Sequence, residues 1–309
     1  RSGRVRSRRP PVLRRVKTWR EVLALADGHL AKNGVPDSRV AAELLAARLL
    51  KTGRGFLASH LEKPAEERLL EAMRRGVTRL VRGEPVQYVL GEWDFRALTL
   101  KCDKRALIPR PETEELVTRV LAFLKARFPA ASADAAPAVV DVGTGTGCIV
   151  LSLAREFKGP AKFIGIDVSP AAVELARENA AKCGLSDRVE FVVADGLDDF
   201  DEPEIFDAIV SNPPYVTTAE CAALDPRIRE HEPMNALDGG AEGLDFYARF
   251  TFDAVHLLKP GGGLFYEIGE TQGEAVRGLM FEAGFDGVKI ERDFAGRDRY
   301  AQGVVGEAF

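Results

Sequence analysis

The 309-residue chain has no apolar run approaching the roughly 18–20 residues of a membrane-spanning helix, so it is not expected to be an integral membrane protein. Cysteine is scarce. Cys102, Cys148, Cys183 and Cys221 are far apart, with no C-x-x-C pair and no neighbouring His pair. That spacing argues against a zinc site or a disulfide framework and for reduced thiols in a cytosolic compartment. There is no internal repeat. The 17 prolines and 29 glycines are scattered, which excludes a fibrous or low-complexity chain. A strong overall charge is also lacking, since the net charge is −4. The charge is unevenly placed, however. Residues 1–17 carry eight basic side chains and no acid, which leaves 35 basic against 47 acidic side chains, or −12, for the rest. A body that acidic is a poor non-specific binder of a phosphate backbone. For the basic arm, a solvated, disordered tail is the preferred reading. An organelle transit peptide and an RNA-contacting arm stay open. The sequence does not begin with Met, so its natural start is also left open.

What is present divides by pattern. Over 18–82 the apolar spacing is helical. Thr18 and Glu21 have the spacing of a capping box ahead of Val22, Leu25, Ala26 and Leu30, and Asn33-Gly34 ends that helix. Asp37-Ser38 opens a second helix, and a third is expected over 64–80. Residues 86–100, with Tyr88, Trp93 and Phe95, suit a β-hairpin. Pro111, followed by Glu112, Glu114 and Glu115, suits a helix start. Beyond an Ala-rich connector at 130–137, apolar strands alternate with helices. Strands are expected at 138–142, 162–166, 188–193, 206–210 and 263–268, and helices at 148–157, 170–183 and 246–258. Alternation of this kind predicts an open α/β sheet with helices on both faces.

Two segments carry chemistry. In the first, Asp141-Val142-Gly143-Thr144-Gly145-Thr146-Gly147 ends a strand and opens a helix. Glycines there let a ligand approach the backbone closely. The loop reads G-x-G-x-G. Cys148 stands where a dinucleotide fingerprint has its last Gly, and no Gly-Lys-Ser/Thr follows as in a Walker loop. Asp167 ends the next strand, where an acid can accept ribose hydroxyls, and Asp195-Gly196 ends the one after. Three carboxylates along one sheet edge suit a cationic nucleoside without phosphates, and S-adenosyl-L-methionine fits that description. In the second segment, Asn212-Pro213-Pro214-Tyr215 follows an apolar strand. Proline removes N–H donors while keeping carbonyls. The turn therefore presents the Asn212 side-chain oxygen and the Pro213 carbonyl as acceptors, with Tyr215 at the rim. Such a corner would grip a planar NH2 group and aim its nitrogen at a methyl donor.

These residues resemble the release-factor glutamine methyltransferases, the HemK/PrmC family, over about residues 18–309. The more specific matches are Gly83-Glu84-Pro85-Val86-Gln87-Tyr88-Val89-Leu90-Gly91, Leu107-Ile108-Pro109-Arg110-Pro111-Glu112-Thr113-Glu114, the run from Glu232-Pro233 through Gly239-Gly240 to Gly243-Leu244, and Asp293 to Arg299, similar to the family's terminal hairpin. The resemblance implies a helical substrate-docking domain at 18–82, a β-hairpin linker at 83–108 and a Rossmann-like, seven-stranded class I methyltransferase domain at 109–309. It implies methyl transfer from S-adenosyl-L-methionine to the Gln amide of the Gly-Gly-Gln motif of class I peptide release factors. By motif, Asp141, Gly143, Thr144, Gly145, Thr146, Gly147, Asp167, Asp195, Gly196 and Asn212 should meet the cofactor. Phe95 and Arg110 should face its cleft, and Asn212 to Tyr215 should hold the substrate Gln. The absence of a side chain at Gly196 puts adenine stacking at that point in question. A glutamine methyltransferase acting on a ribosomal protein and an adenine-directed nucleic-acid methyltransferase are the alternatives, with a non-catalytic binding module as a third. The expected protein is a cytoplasmic monomer with no metal and no stable nucleic-acid or membrane partner. Phe250 reads as core. Glu267, at the end of a strand, could be near the site, with a turn carboxylate the preferred reading, while 217–244 has the length of a lid or binding element.

Overall fold

The computed structural model describes residues 17–306, so the expected basic arm lies outside the described residues except for Lys17. The chain divides into two compact units between Leu90 and Gly91, and the residues expected to form a linker over 83–108 are shared between them. No helix among the described residues is long and apolar enough to cross a membrane.

The first unit contains α1 (Trp19–Lys32), α2 (Ser38–Leu50), α3 (Glu67–Val81) and α4 (Val86–Leu90). Helix α1 begins where the capping box places it. Thr18 Oγ1 accepts from Glu21 N at 3.4 Å, and Glu21 Oε2 accepts from Thr18 N at 3.0 Å. The apolar faces meet around Trp19, Leu30, Leu45, Met73 and Leu80. Helices α2 and α3 approach at Gly76, where any Cβ would run into the Leu45 side chain. Residues 86–90 are helical, which corrects the hairpin expected there. Pro85 pre-sets the backbone for a helical turn, its carbonyl accepts from Val89 N at 3.1 Å, and Val89 packs on the helical core. Burial of that apolar turn overrides the β propensity of its residues.

The second unit opens with the hairpin β1 (Glu92–Phe95) and β2 (Leu98–Lys101), followed by α5 (Pro111–Arg127). Then come β3 (Ala138–Val142), α6 (Cys148–Glu156), β4 (Lys162–Asp167), α7 (Pro170–Cys183), β5 (Val189–Val193) and β6 (Phe206–Ser211). The rest is α8 (Thr218–Ala223), α9 (Pro226–Arg229), α10 (Asp245–Leu257), β7 (Leu258–Glu267), α11 (Gly273–Ala283), β8 (Phe285–Arg292) and β9 (Asp298–Val305). The sheet has seven strands in the order β5-β4-β3-β6-β7-β9-β8. β5 through β7 are parallel, and β9 runs antiparallel to both of its neighbours. This is the α/β fold expected, including the terminal hairpin.

Strands β3 and β6 are buried on both faces, which is why they read as continuous apolar runs. Val139 joins the layer with α5, α6 and α7, while Val140 and Val142 join the layer with α10 and α11. From β3 the chain winds outward through β4 to β5, then returns to β6 on the other side of β3. The strand order reverses between β3 and β6, and the crevice beyond their carboxyl ends is the natural ligand site of such a sheet. The glycine loop ends β3 and the Asn-Pro-Pro-Tyr turn ends β6, so topology brings the two chemical segments side by side.

Candidate active site

A cavity of about 360 Å³ lies at that switch point. Its walls come from the glycine loop, Asp167 to Ser169, Ala194 to Gly196, Ser211 to Pro214, the segment 105–110, and Phe246, Arg249 and Phe250 of α10.

The glycine loop is shaped from beneath. Gly143, Gly145 and Gly147 have φ of +73°, +55° and +80°, a region costly to residues with a Cβ. Asp141 is fully buried under the loop, where its Oδ2 accepts from Thr144 Oγ1 at 2.7 Å and Val150 N at 3.3 Å. Burial pushes its carboxyl up to about 7, opposed by those two hydrogen bonds. Asp141 Oδ1 is buried without a partner. Neither Asp141 nor Gly147 forms the cavity wall. Both were expected to meet the cofactor, and the structure places them as supports of the loop.

Asp167 is in the wall. Its Oδ2 accepts from Gly145 N and its Oδ1 from Ser169 N, each at 2.9 Å. Both oxygens keep a free lone pair for a ligand hydroxyl. Burial raises its carboxyl above the usual range, with the two backbone N–H groups pulling the other way. Asp195 also lines the cavity, with its Oδ1 accepting from Arg249 Nη1 at 3.0 Å. At Gly196 a Cβ would lie 2.6 Å from Phe250 Cε1, so the missing side chain is what admits the Phe250 ring. Phe246 and Phe250, with centroids 5.6 Å apart, supply the aromatic surface on this side. Phe250, read as core, serves both core and wall.

The three arginines around the cavity are neutralised. Arg105 binds Asp103 and Glu178, Arg110 binds Glu232 at 2.6 Å, and Arg249 binds Asp195 and Asp198. With its cations committed and Asp167 and Asp195 in its wall, the cavity is a poor phosphate site and a suitable one for a phosphate-free, positively charged nucleoside. S-adenosyl-L-methionine fits these residues. The orphaned Asp141 Oδ1 leaves one buried acceptor unsatisfied beneath the loop.

On the β6 side, Ser211 Oγ donates to Val142 O at 2.7 Å and ties the two strand ends together. Asn212 Nδ2 donates to Thr113 Oγ1 at 3.1 Å, and Thr113 Oγ1 donates to Glu267 Oε2 at 2.7 Å. Among the described residues no hydrogen bond is made to Asn212 Oδ1 or to the Pro213 carbonyl. Tyr215 does not face the cavity as expected. Its hydroxyl lies 3.5 Å from both Glu267 Oε1 and Arg299 Nη1, and burial raises its pKa. Phe95 is also displaced from expectation. It is 1 % exposed in the core with Leu98, Leu100 and Leu116 and does not reach the cleft. Arg110 does line the cavity, but its guanidinium holds Glu232. Glu232 Oε2 also accepts from Ile108 N at 3.1 Å, so this acid pins 217–244 to 105–110 across the cavity wall.

The glycines of that segment support the turn. Gly239 N donates to Val216 O at 2.8 Å, and a Cβ on Gly239 would lie 2.6 Å from Pro214 O. Gly243, at φ +69°, leaves no room for a Cβ against Tyr215 O. Gln272 Nε2 bridges Tyr215 O at 2.9 Å and Gly243 O at 3.0 Å.

Comparison with known proteins agrees with this geometry. A methyltransferase domain model matches residues 133–273, and the PrmC N-terminal domain matches residues 21–91. A release factor glutamine methyltransferase from Geobacter sulfurreducens is 38 % identical over 289 residues, covering 94 % of this chain and 97 % of that protein. The chain belongs to the release factor glutamine methyltransferase family. Another member, from Bacillus subtilis, is 38 % identical over 92 % of this chain and 96 % of its own length. The Homo sapiens MTRF1L release factor glutamine methyltransferase is 35 % identical over 91 % and 85 %. As a methyltransferase of this family the chain is an enzyme that uses S-adenosyl-L-methionine.

Within this methyltransferase, Gly243→Ala is expected to lower both melting temperature and turnover. A left-handed backbone alone costs a non-Gly residue about 1–2 kcal/mol, before the overlap with Tyr215 O. A thermal melt and a turnover assay check this, and wild-type values in both would contradict it. Three residues of the site escaped sequence reading. Thr113 lies inside one of the matching motifs with no role of its own legible there. Glu267, at a strand end, reads from the sequence as a turn carboxylate in preference to a site residue. Glu232 sat inside a quoted motif without a role.

Proposed function

We propose that this chain transfers a methyl group from S-adenosyl-L-methionine to the side-chain amide nitrogen of the Gln in the Gly-Gly-Gln motif of class I peptide release factors. The observation that carries this is the pair of uncommitted acceptors, Asn212 Oδ1 and the Pro213 carbonyl, on the wall of a cavity fit for a sulfonium nucleoside. The names of the relatives supply the release factor as the substrate class. Catalytic contact is assigned to Asn212, Pro213 and Pro214. Cofactor contact is assigned to the wall of the loop from Gly143 to Thr146, with Asp167, Asp195 and Phe250.

An amide nitrogen is a weak nucleophile because its lone pair is delocalised into the carbonyl. The cofactor, when bound, supplies an electrophilic methyl carbon on a good leaving group. Asn212 Oδ1 and Pro213 O accept the two N–H groups of the carboxamide, fix its plane and favour charge build-up on nitrogen. Most of the acceleration is then orientation and preorganised polarity. Pro213, buried, and Pro214, half-buried, have no N–H to offer and keep competing backbone donors from the same corner. The proton leaves nitrogen after transfer, so no strong base is required beside it. An adenine amine could use the same acceptors, but polynucleotide substrates call for a basic surface, and residues 18–309 carry −12. The expected state is a monomer, working in the compartment where translation terminates.

The test is incubation with methyl-labelled S-adenosyl-L-methionine and either release factor or DNA. Label is expected in the release factor. Label in DNA alone would overturn the proposal.

A further inference from the structure

We infer that Thr113 and Glu267 form a polarity relay that decides which end of the Asn212 carboxamide faces the substrate. The inference deepens the reading of Asn212 given above and rests on it for the identity of the substrate. The three residues come from the first turn of α5, the end of β7 and the residue after β6. Thr113 and Glu267 are 2 % and 1 % exposed, so no solvent competes for their hydrogen bonds.

The two ends of a carboxamide have nearly the same shape, so packing alone does not choose between them. Hydrogen bonding does. A threonine hydroxyl has one proton to give, whereas an ionised carboxylate only accepts. At 2.7 Å from Glu267 Oε2 the Thr113 proton is committed to the carboxylate, and Thr113 Oγ1 is left only as an acceptor. Its other neighbour, 3.1 Å away, must then be the donating end of Asn212, Nδ2. Oδ1 is thereby turned to the opposite edge, as an acceptor for a substrate N–H. In the reverse orientation Asn212 would present N–H groups to an NH2, and the grip would be lost.

The relay has a protonation-dependent sense. Thr113 of α5, Tyr215 of the turn and Arg299 of β9 face Glu267. The Tyr247 hydroxyl of α10 donates to its backbone carbonyl at 2.8 Å, and Glu112, Cys148 and Tyr300 complete the titratable surroundings. Burial pushes the Glu267 carboxyl up to about 7, with Thr113, Arg299 and Tyr215 opposing and Glu112 adding to the rise. Ionised Glu267 holds the productive orientation. A protonated carboxyl can donate to Thr113, whose own proton is then free for Asn212 Oδ1, and the amide is held the wrong way round. Turnover should therefore fall as pH drops through neutrality. Thr113 lines the cavity beside Asn212, and both it and Glu267 act here through the Asn212 amide. Both are positioning residues.

The test uses full-length Thr113→Val, Thr113→Ser and Glu267→Gln. Turnover on release factor and S-adenosyl-L-methionine binding are measured for each. The Asn212 side-chain amide is followed by ¹H–¹⁵N NMR in the absence of substrate. Thr113→Val, which keeps the shape and loses the hydroxyl, should cut turnover about tenfold or more, the scale of one lost buried hydrogen bond. Its cofactor affinity should be unchanged and its Asn212 amide resonance displaced. Thr113→Ser should restore both turnover and resonance. Glu267→Gln cannot titrate, so its pH profile should lack the acid limb seen in the wild type. Equal turnover in the Val variant and the wild type, equal losses in Val and Ser, or an acid limb surviving in Glu267→Gln would each overturn the relay. If the wild type itself methylates no release factor while the amide resonance responds as stated, the substrate assignment falls and the relay stands.

Discussion

Replacing Asn212 with Ala should slow methyl transfer by about 10²–10³-fold, the usual cost of removing one preorganised polar group at the reacting centre. S-adenosyl-L-methionine affinity should stay within a few-fold of wild type. The asymmetry follows from the geometry. Asn212 is held from behind by Thr113, and its carbonyl oxygen is uncommitted. The firm anchors on the nucleoside side are elsewhere, at Asp167, Gly145 and Ser169. Loss of Asn212 Oδ1 removes an acceptor that matters most as the amide nitrogen gains positive character, so kcat should fall more than the substrate KM rises. Asn212→Asp is a useful companion. It keeps an oxygen toward the substrate but places a second acceptor against Thr113, whose single proton is already given to Glu267. It should recover little. Wild-type turnover in Asn212→Ala, measured with saturating cofactor, would refute the role assigned to this side chain.

Replacing Asp167 with Ala should act in the opposite way. Its two oxygens each accept one backbone N–H at 2.9 Å and each retain a lone pair toward the cavity. Ribose hydroxyls donating there make charge-assisted hydrogen bonds, and losing such a bond costs about 1.5–3 kcal/mol, roughly 10- to 150-fold in affinity. The Gly145 N–H also loses its acceptor, so the glycine loop should loosen and add to the effect. The expected result is a weaker cofactor dissociation constant by calorimetry, with turnover largely recovered at high cofactor concentration. An unchanged dissociation constant would contradict the ribose assignment.

The parts of the site that were legible are those whose chemistry is local. Gly143 to Gly147 can be read because positive φ demands glycine within a few residues, and Asp167 because a strand end fixes where its carboxylate points. Asn212 to Tyr215 can be read because two prolines forbid continuation of β6. The α/β sheet followed from its apolar strands in the same way. What could not be read depends on distant partners. Thr113 matters because it meets Asn212 and Glu267, 99 and 154 residues away. Tyr215 looked like a rim residue until Glu267 and Arg299 drew its hydroxyl inward. Phe95 was placed in the cleft from its motif, yet β1 pairs Phe95 with Leu98 and buries both in the core. At 86–90 the residues favour a strand and Pro85 favours a helical turn. Only the apolar surface of the first unit, which receives Val89, settles the matter. Asp141 shows a subtler limit. Its position at a strand end was read correctly, but Thr144 and Val150 take its carboxylate beneath the loop, away from the ligand.

Together these contacts describe a corner whose side-chain donor is turned away to Thr113, leaving acceptors toward a cavity whose arginines are all paired. The most direct test of that claim is peptide mass spectrometry of a release factor incubated with this protein and S-adenosyl-L-methionine. One added methyl group should map to the Gln of the Gly-Gly-Gln peptide. A release factor left unmodified, or a methyl group placed on any other side chain, would contradict it.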